Sequence, residues 1–296
     1  MKRAAVVANP IRVDDREKFR ELIRTAMSAH GWTEPLWLET TVDDPGTGQA
    51  RAAVAAQVDL LLASGGDGTI TACAAAVAGT GIPLAVLPAG TGNLLARNLG
   101  LPLELDEALL VALTGTNQQL DMGCANDRAF LVMAGLGFDA RIMDGASEPL
   151  KRRMGWAAYV VSGLRHLRDR PVRVTLRADH ARPLRRRASA VIIGNVGALQ
   201  GGVPLLPDAN PGDGLLDAVM LTARGLTAWL ALAAHVLTRQ RATSRLARVT
   251  FRELRIDTGR SQPWQIDGEV IGRTQRLVVR VADGKLLIRV PATTAS

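Results

Sequence analysis

Ser64-Gly65-Gly66-Asp67-Gly68-Thr69 follows an apolar run, Leu60-Leu61-Leu62-Ala63, and leads into Ile70-Thr71-Ala72-Cys73-Ala74. That order predicts a buried strand, a tight glycine turn and the first turn of a helix. Three glycines remove the Cβ atoms that would hold a ligand off the backbone. The N–H groups that open the helix have no intrahelical partner and attract an anion such as phosphate. Asp67 is the odd member. A carboxylate in an anion-binding loop makes electrostatic sense if a cation comes with the phosphate or a proton has to be taken. Mg²⁺-bound ATP supplies such a cation, and a substrate hydroxyl such a proton. The same residues also fit a plain strand-to-helix turn with Asp67 as N-cap. The companions of the loop weigh against that plainer reading.

Strands are predicted at residues 4–8, 36–40, 60–63 and 84–87, and helices at 14–31, 49–57, 69–78, 94–98 and 105–113. In the first helix, Phe19, Leu22, Ile23, Ala26 and Met27 share one face, and Gly31 is placed to stop it. Alternation of this kind predicts a parallel sheet covered on both faces. Ligands of such sheets bind beyond the carboxyl ends of the strands. Asn9, Thr40, Gly65 to Thr69 and Gly90-Thr91-Gly92-Asn93 all fall at those ends, which points to one site.

Near Leu120-Asp121-Met122-Gly123 the pattern changes. Residues 129–134, 173–176, 188–193, 217–221, 249–251, 254–256 and 277–281 read as strands joined by turns, with helices at 155–167 and 226–237 between them. This half is expected to be a mainly antiparallel β-sandwich. The expected boundary divides residues 1–121 from 122–296, and the last strand, at 285–290, fits either half.

The 296 residues are 47% hydrophobic but only 3% aromatic, so Ala, Val and Leu must fill the core. The net charge of +8 suits nucleic acid, an anionic membrane surface or a polyphosphate ligand. Arg182 to Arg187 reads as a solvated hairpin rather than a nucleic-acid patch. The two cysteines, Cys73 and Cys124, lie far apart and imply neither disulfide nor zinc cluster, which fits a reducing cytoplasm. The start, Met1-Lys2-Arg3, runs straight into a strand pattern rather than a signal region. No apolar stretch reaches membrane-spanning length. The Leu-rich helix around Trp229 fits either packing on the sandwich or peripheral contact with the inner membrane face.

Several further motifs occur in order: Asn9-Pro10, Thr40 with Gly48, Pro88-Ala89-Gly90-Thr91-Gly92-Asn93, Gly135-Leu136-Gly137-Phe138-Asp139-Ala140, Asn195 with Gly201-Gly202, Asp213-Gly214-Leu215-Leu216-Asp217 and Asp267-Gly268-Glu269. Together with the glycine turn they resemble the diacylglycerol, sphingosine and ceramide kinases, in their bacterial single-chain form. The resemblance runs along nearly the whole chain. It implies an α/β class: an N-terminal three-layer α/β/α domain with a parallel sheet, phosphofructokinase-like, then a mainly antiparallel β-sandwich, with the active site in the cleft between them. It implies an ATP site lined by Asn9, Thr40, Gly65, Gly66, Asp67, Gly68, Thr69, Thr71, Gly90, Thr91, Gly92 and Asn93. Asp67 would hold Mg²⁺ through water, and Glu269 would take the proton of a lipid hydroxyl. Asp213, with the carbonyls of Asn210 and Leu215, would hold a structural Mg²⁺ or Ca²⁺; an Asx-turn explains the same residues. Asp139 and Lys151 would meet the substrate.

Two departures stand out. Ile11-Arg12-Val13 replaces the Ser-Gly or Gly-Lys that many members carry after Asn-Pro. Leu94 replaces an acid of the metal network, of which Asp121 is another candidate member. The expectation is an ATP-dependent phosphotransferase acting on diacylglycerol or a related lipid. An NAD-kinase-like small-molecule kinase and a non-catalytic nucleotide-binding regulator are the alternatives. Oligomeric state, a homodimer included, is open.

Overall fold

The computed structural model describes residues 1–13, 15–137, 171–197, 206–222 and 246–292. They fall into two compact units, Met1–Leu120 with the tail from Asp283, and Asp121–Ala282. The first unit opens β1 (Ala4–Ala8), α1 (Arg16–Ala29), β2 (Leu36–Glu39), α2 (Thr47–Ala55), β3 (Leu60–Gly65), α3 (Asp67–Val77), β4 (Leu84–Pro88), α4 (Leu94–Asn98), α5 (Leu105–Thr114) and β5 (Thr116–Leu120). Strand alternation sorts the core. Ala4, Val6, Leu60, Leu62, Ala85 and Leu87 pack with Phe19, Ile23 and Met27 of α1 and Leu109 of α5. The helices α2 and α3 pack on each other and on β1, β3 and β4.

The second unit contains β6 (Gly123–Ala125), β7 (Arg128–Phe130), β8 (Met133–Gly137), β9 (Val172–Ala178), β10 (Leu184–Ala188), β11 (Ala190–Gly194), β12 (Leu216–Leu221), β13 (Leu246–Phe251), β14 (Glu253–Ile266) and β15 (Glu269–Val281). The pairings of these strands are antiparallel, in the order β13-β12-β11-β8-β14-β15-β6-β7. The long strand β14 makes a fork. Its first part pairs with β9, which carries β10, and its last residues pair with β8. Phe130, Phe251, Leu254, Ile256, Leu277 and Val279 fill the core between the inner faces.

The chain then returns to the first sheet. Its last strand, β16 (Leu286–Val290), runs parallel to β4 and antiparallel to β5, giving the order β2-β1-β3-β4-β16-β5. Arg289 fixes this return by donating to the Ala112 and Gly115 carbonyls at the end of α5 and to Asn117. A cation there also suits the negative end of the helix dipole.

Some element boundaries differ from expectation. The single strand predicted at 129–134 is two, β7 and β8, because Leu131 and Val132 turn their amides to the Asp267 carboxylate. The strand predicted at 188–193 breaks at Ser189. The short strands at 254–256 and 277–281 are parts of a hairpin of 14 and 13 residues. The helices expected at 155–167 and 226–237, with Trp229, lie outside the described residues.

Candidate active site

At the carboxyl edge of the first sheet the strand ends are tied to one another. Thr40 N–H donates to the Ala8 carbonyl at 2.9 Å, Asn9 N–H to Ser64 at 2.9 Å, and Ala89 N–H to Gly65 at 3.1 Å. The loops after β2, β1, β3 and β4 therefore form one continuous row. Asn9 also caps the short turn Pro10–Arg12, its side-chain oxygen accepting from Ile11 N–H. Beside the row is a cavity of about 300 Å³ lined by Arg12, Lys18, Phe19, Ser64, Pro88 and Leu105, among others. Neither the Arg12 nor the Lys18 side chain has a partner among the described residues.

The glycine turn itself is tightly determined. Gly66 is the N-cap of α3 and Asp67 its first residue, so Asp67 is not the cap, and no side chain caps this helix. No side chain takes up its opening amides, which have no intrahelical partner. A Cβ on Gly65 would lie 2.6 Å from Thr69 Cβ, and one on Gly90 would lie 2.8 Å from Gly66 Cα. The two glycine loops thus press backbone to backbone, and Thr69 is buried beneath Gly65. Asn93 adopts a left-handed conformation, with φ of 47°, as N-cap of α4, and its side-chain oxygen accepts from Gly90 N–H at 3.0 Å. The Asp67 carboxylate accepts from Leu94 N–H at 2.7 Å, linking the loops. This bond uses backbone only, so it survives the change of side chain at Leu94, which is buried. Thr71 is half-buried in the first turns of α3; Gly68 and Thr91 are exposed and Gly92 half-buried.

Neighbouring α2 is opened by Asp44, whose carboxylate accepts from Gly46 and Gly48 N–H. The Gly48 bond, outweighing the effect of burial, holds the Asp44 carboxyl below its ordinary range, helped by Gly46, Thr47 and Arg51. Cys73 lies against the Gly46 carbonyl. Burial first, then the Asp44 charge, push its thiol up to about 12, so it is inert.

In the second unit, Asp267 and Gly268 form the two-residue turn between β14 and β15, with φ of 45° and 88°. Two successive positive φ values are those of a type I′ hairpin, which favours Asp-Gly. Here the hairpin reading of this dipeptide holds, and the Asp267 carboxylate accepts from Leu131, Val132 and Met133 N–H at 2.9–3.0 Å. Glu269, the first residue of β15, is exposed, and its side chain has no partner among the described residues. Asn195, 3% exposed, donates to the Asp121 and Leu131 carbonyls. Asp121, also buried, accepts from Gly214 N–H at 2.6 Å. Asp213 is exposed and accepts from Leu215 N–H, while the Asn210 carbonyl accepts from Asp213 N–H at 3.4 Å, an Asx-turn in geometry. Asp139 and Lys151 lie outside the described residues. Sequence reading missed the Asp67–Leu94 bond; the one cue was Asn93, a residue that tolerates the left-handed region, after Gly92.

A family model of the diacylglycerol kinase catalytic domain matches residues 3–125, and one of the YegS C-terminal NAD kinase beta sandwich-like domain matches residues 132–291. The chain belongs to the diacylglycerol kinase family, in its YegS-like form. This YegS-like chain is 39% identical over 180 residues to a Pseudomonas aeruginosa (strain UCBPP-PA14) protein named "Probable lipid kinase YegS-like", covering 57% of this chain and 56% of that one. It is 33% identical over 189 residues to a Mycobacterium tuberculosis (strain H37Rv) protein named diacylglycerol kinase, covering 61% and 60%. The chain spans half to three fifths of the length of the curated relatives it matches. Its fold is that of a crystal structure titled as a diacylglycerol kinase from Bacillus anthracis str. Sterne, with a TM-score of 0.75 over 99% of this chain and 98% of that one at 20% identity. The mixed architecture of parallel α/β unit and antiparallel sandwich is therefore that of the YegS-like kinases. Among the described residues, no helix is long and apolar enough to cross a membrane.

Proposed function

We propose that the chain transfers the terminal phosphoryl group of ATP to a hydroxyl of diacylglycerol or a related lipid. The observation that carries this reading is the uncapped start of α3, pressed against the Gly90 loop, with Asp67 at its first position. A Cβ at Gly65 or Gly90 would push the turn and its neighbours apart, and helix-start amides that no side chain takes up suit phosphate oxygens. Asn9, Thr40, Gly65, Gly66, Gly68, Thr69, Thr71 and Gly90 to Asn93 are the proposed nucleotide residues; buried Thr69 acts by supporting the turn. Asp67, held by Leu94 N–H, is the proposed Mg²⁺ residue, through water. When bound, Mg²⁺-ATP supplies the phosphoryl group and neutralises part of its charge. The chain's own tasks are then alignment and proton removal. Glu269 is the proposed general base, an exposed carboxylate able to take the hydroxyl proton as the oxygen attacks. The turn holding Asn210, Asp213 and Leu215 offers one carboxylate and two carbonyls, hard donors suited to a second, structural Mg²⁺ or Ca²⁺.

A screen with radiolabelled ATP over a panel of detergent-dispersed lipids, with NAD in a parallel arm, tests this reading. We expect labelled phospholipid product from diacylglycerol or a relative and none from NAD. Label on NAD alone, or ATP binding without product on any lipid, would replace it with one of the alternatives.

A further inference from the structure

The outer face formed by β10, β9, β14 and β15 is rich in arginine, with two carboxylates, Glu253 and Asp257, both on β14. Alternation puts Val172, Val174 and Leu176 into the core and turns Arg173 and Arg177 outward. On β10, Arg185 and Arg187 share that face, directly opposite Thr175 and Arg173. Across β14 and β15, Arg255 lies opposite Arg177, Asp257 opposite Thr175, and Arg276 opposite Asp257.

Like charges directly opposite in an antiparallel ladder repel. Among the described residues, the sheet relieves this at one of two such pairs. Beside the Arg177–Arg255 pair it sets Asp257, whose carboxylate meets Arg177, Arg255 at 3.1 Å and Arg276 at 2.8 Å. The Arg173–Arg187 pair has no such carboxylate among the described residues. The side chains of Arg173, Arg185 and Arg187 are exposed and have no hydrogen-bond or ion-pair partner among the described residues. Opposed charges of this kind are stabilised by an anionic surface brought against them. None of the paired outward positions is aromatic, so the face lacks the stacking platform that single-stranded nucleic acid uses. It is a sheet face rather than a helix or ribbon that would enter a groove.

We propose that this face, centred on Arg173, Arg185 and Arg187, docks on the surface of an anionic phospholipid bilayer. The proposal deepens the lipid-kinase reading, because a lipid hydroxyl is met at a bilayer. Each arginine close to an anionic leaflet contributes roughly a fivefold factor in binding, less as salt screens it.

The test is sedimentation of the full chain with vesicles of phosphatidylglycerol and phosphatidylcholine, or of phosphatidylcholine alone, at low and high salt. The triple variant R173Q/R185Q/R187Q is run beside it, with its melting temperature as a folding check. A duplex DNA arm and phosphorylation of detergent-dispersed lipid complete the set. We expect wild type to bind the anionic vesicles alone, salt to release it, and the triple variant to bind on the order of a hundredfold more weakly. Its activity on dispersed lipid should be unchanged. A folded triple variant that binds anionic vesicles as wild type does overturns the proposal, as does equal binding to phosphatidylcholine. Loss of DNA binding with vesicle binding intact overturns it in favour of nucleic acid. If vesicle binding is lost as expected but neither protein phosphorylates any lipid, the docking face stands and the kinase reading falls.

Discussion

Asp67 and Asp267 each sit beside a glycine at a turn, yet their carboxylates meet different partners. Asp67 accepts from Leu94 N–H at the start of a helix that no side chain caps. Asp267 accepts from the consecutive amides of Leu131, Val132 and Met133, in the segment entering β8. The second is a structural clamp, and it holds the turn that presents Glu269. Asp267→Ala should cost about 3 kcal/mol, since hydrogen bonds to a charged acceptor are lost and buried amides are left unmet. Asp267→Asn keeps an oxygen and the turn preference and should cost less. Urea denaturation of both variants checks this; a loss under about 0.5 kcal/mol for the alanine variant would remove the clamp. The turn was legible in the sequence because Asp-Gly prescribes it locally. The clamp was not, since its amides lie 136, 135 and 134 residues away along the chain.

Among the elements, α2 depends on a charge outside itself. Its N-cap is Gly46, which has no side chain to offer, and Asp44 accepts in its place. Because the folded Asp44 carboxyl is held below its ordinary range, its contribution is present above the unfolded aspartate value, about pH 4, and is lost as pH falls through the folded value. Asp44→Asn should therefore be less stable than wild type at neutral pH, with the gap closing in acid. Urea midpoints over a pH series measure this, and a gap independent of pH would contradict it. The amphipathic helix α1 was readable from its buried stripe of Phe19, Ile23 and Met27. The edge strand β5 was not, because Thr116-Asn117-Gln118-Gln119 carries no apolar alternation and gains its partner only when β16 returns. The middle of β14 was hidden likewise: Gln262 and Gln265 are buried polar residues, with Gln262 satisfied by nearby carbonyls and Gln265 by Gly268 N–H.

For the whole molecule, the alternation of parallel and antiparallel patterns foretold both architectures, and the order of glycine motifs foretold the family. The fate of the last strand was not decidable beforehand. The apolar side chains of Leu286 and Ile288 would fit either sheet, and Arg289, bonded to the end of α5, supplies the tertiary constraint. The proposed chemistry rests on the phosphate-binding start of α3 and on Glu269 as the base. The most direct test is steady-state kinetics of phosphoryl transfer from ATP to the lipid found in the screen, comparing wild type with Glu269→Gln. The Glu269→Gln turnover should be lowered by roughly 10²–10⁴-fold with the KM for ATP unchanged, the signature of a lost general base. A Glu269→Gln protein that turns over as fast as wild type would contradict it.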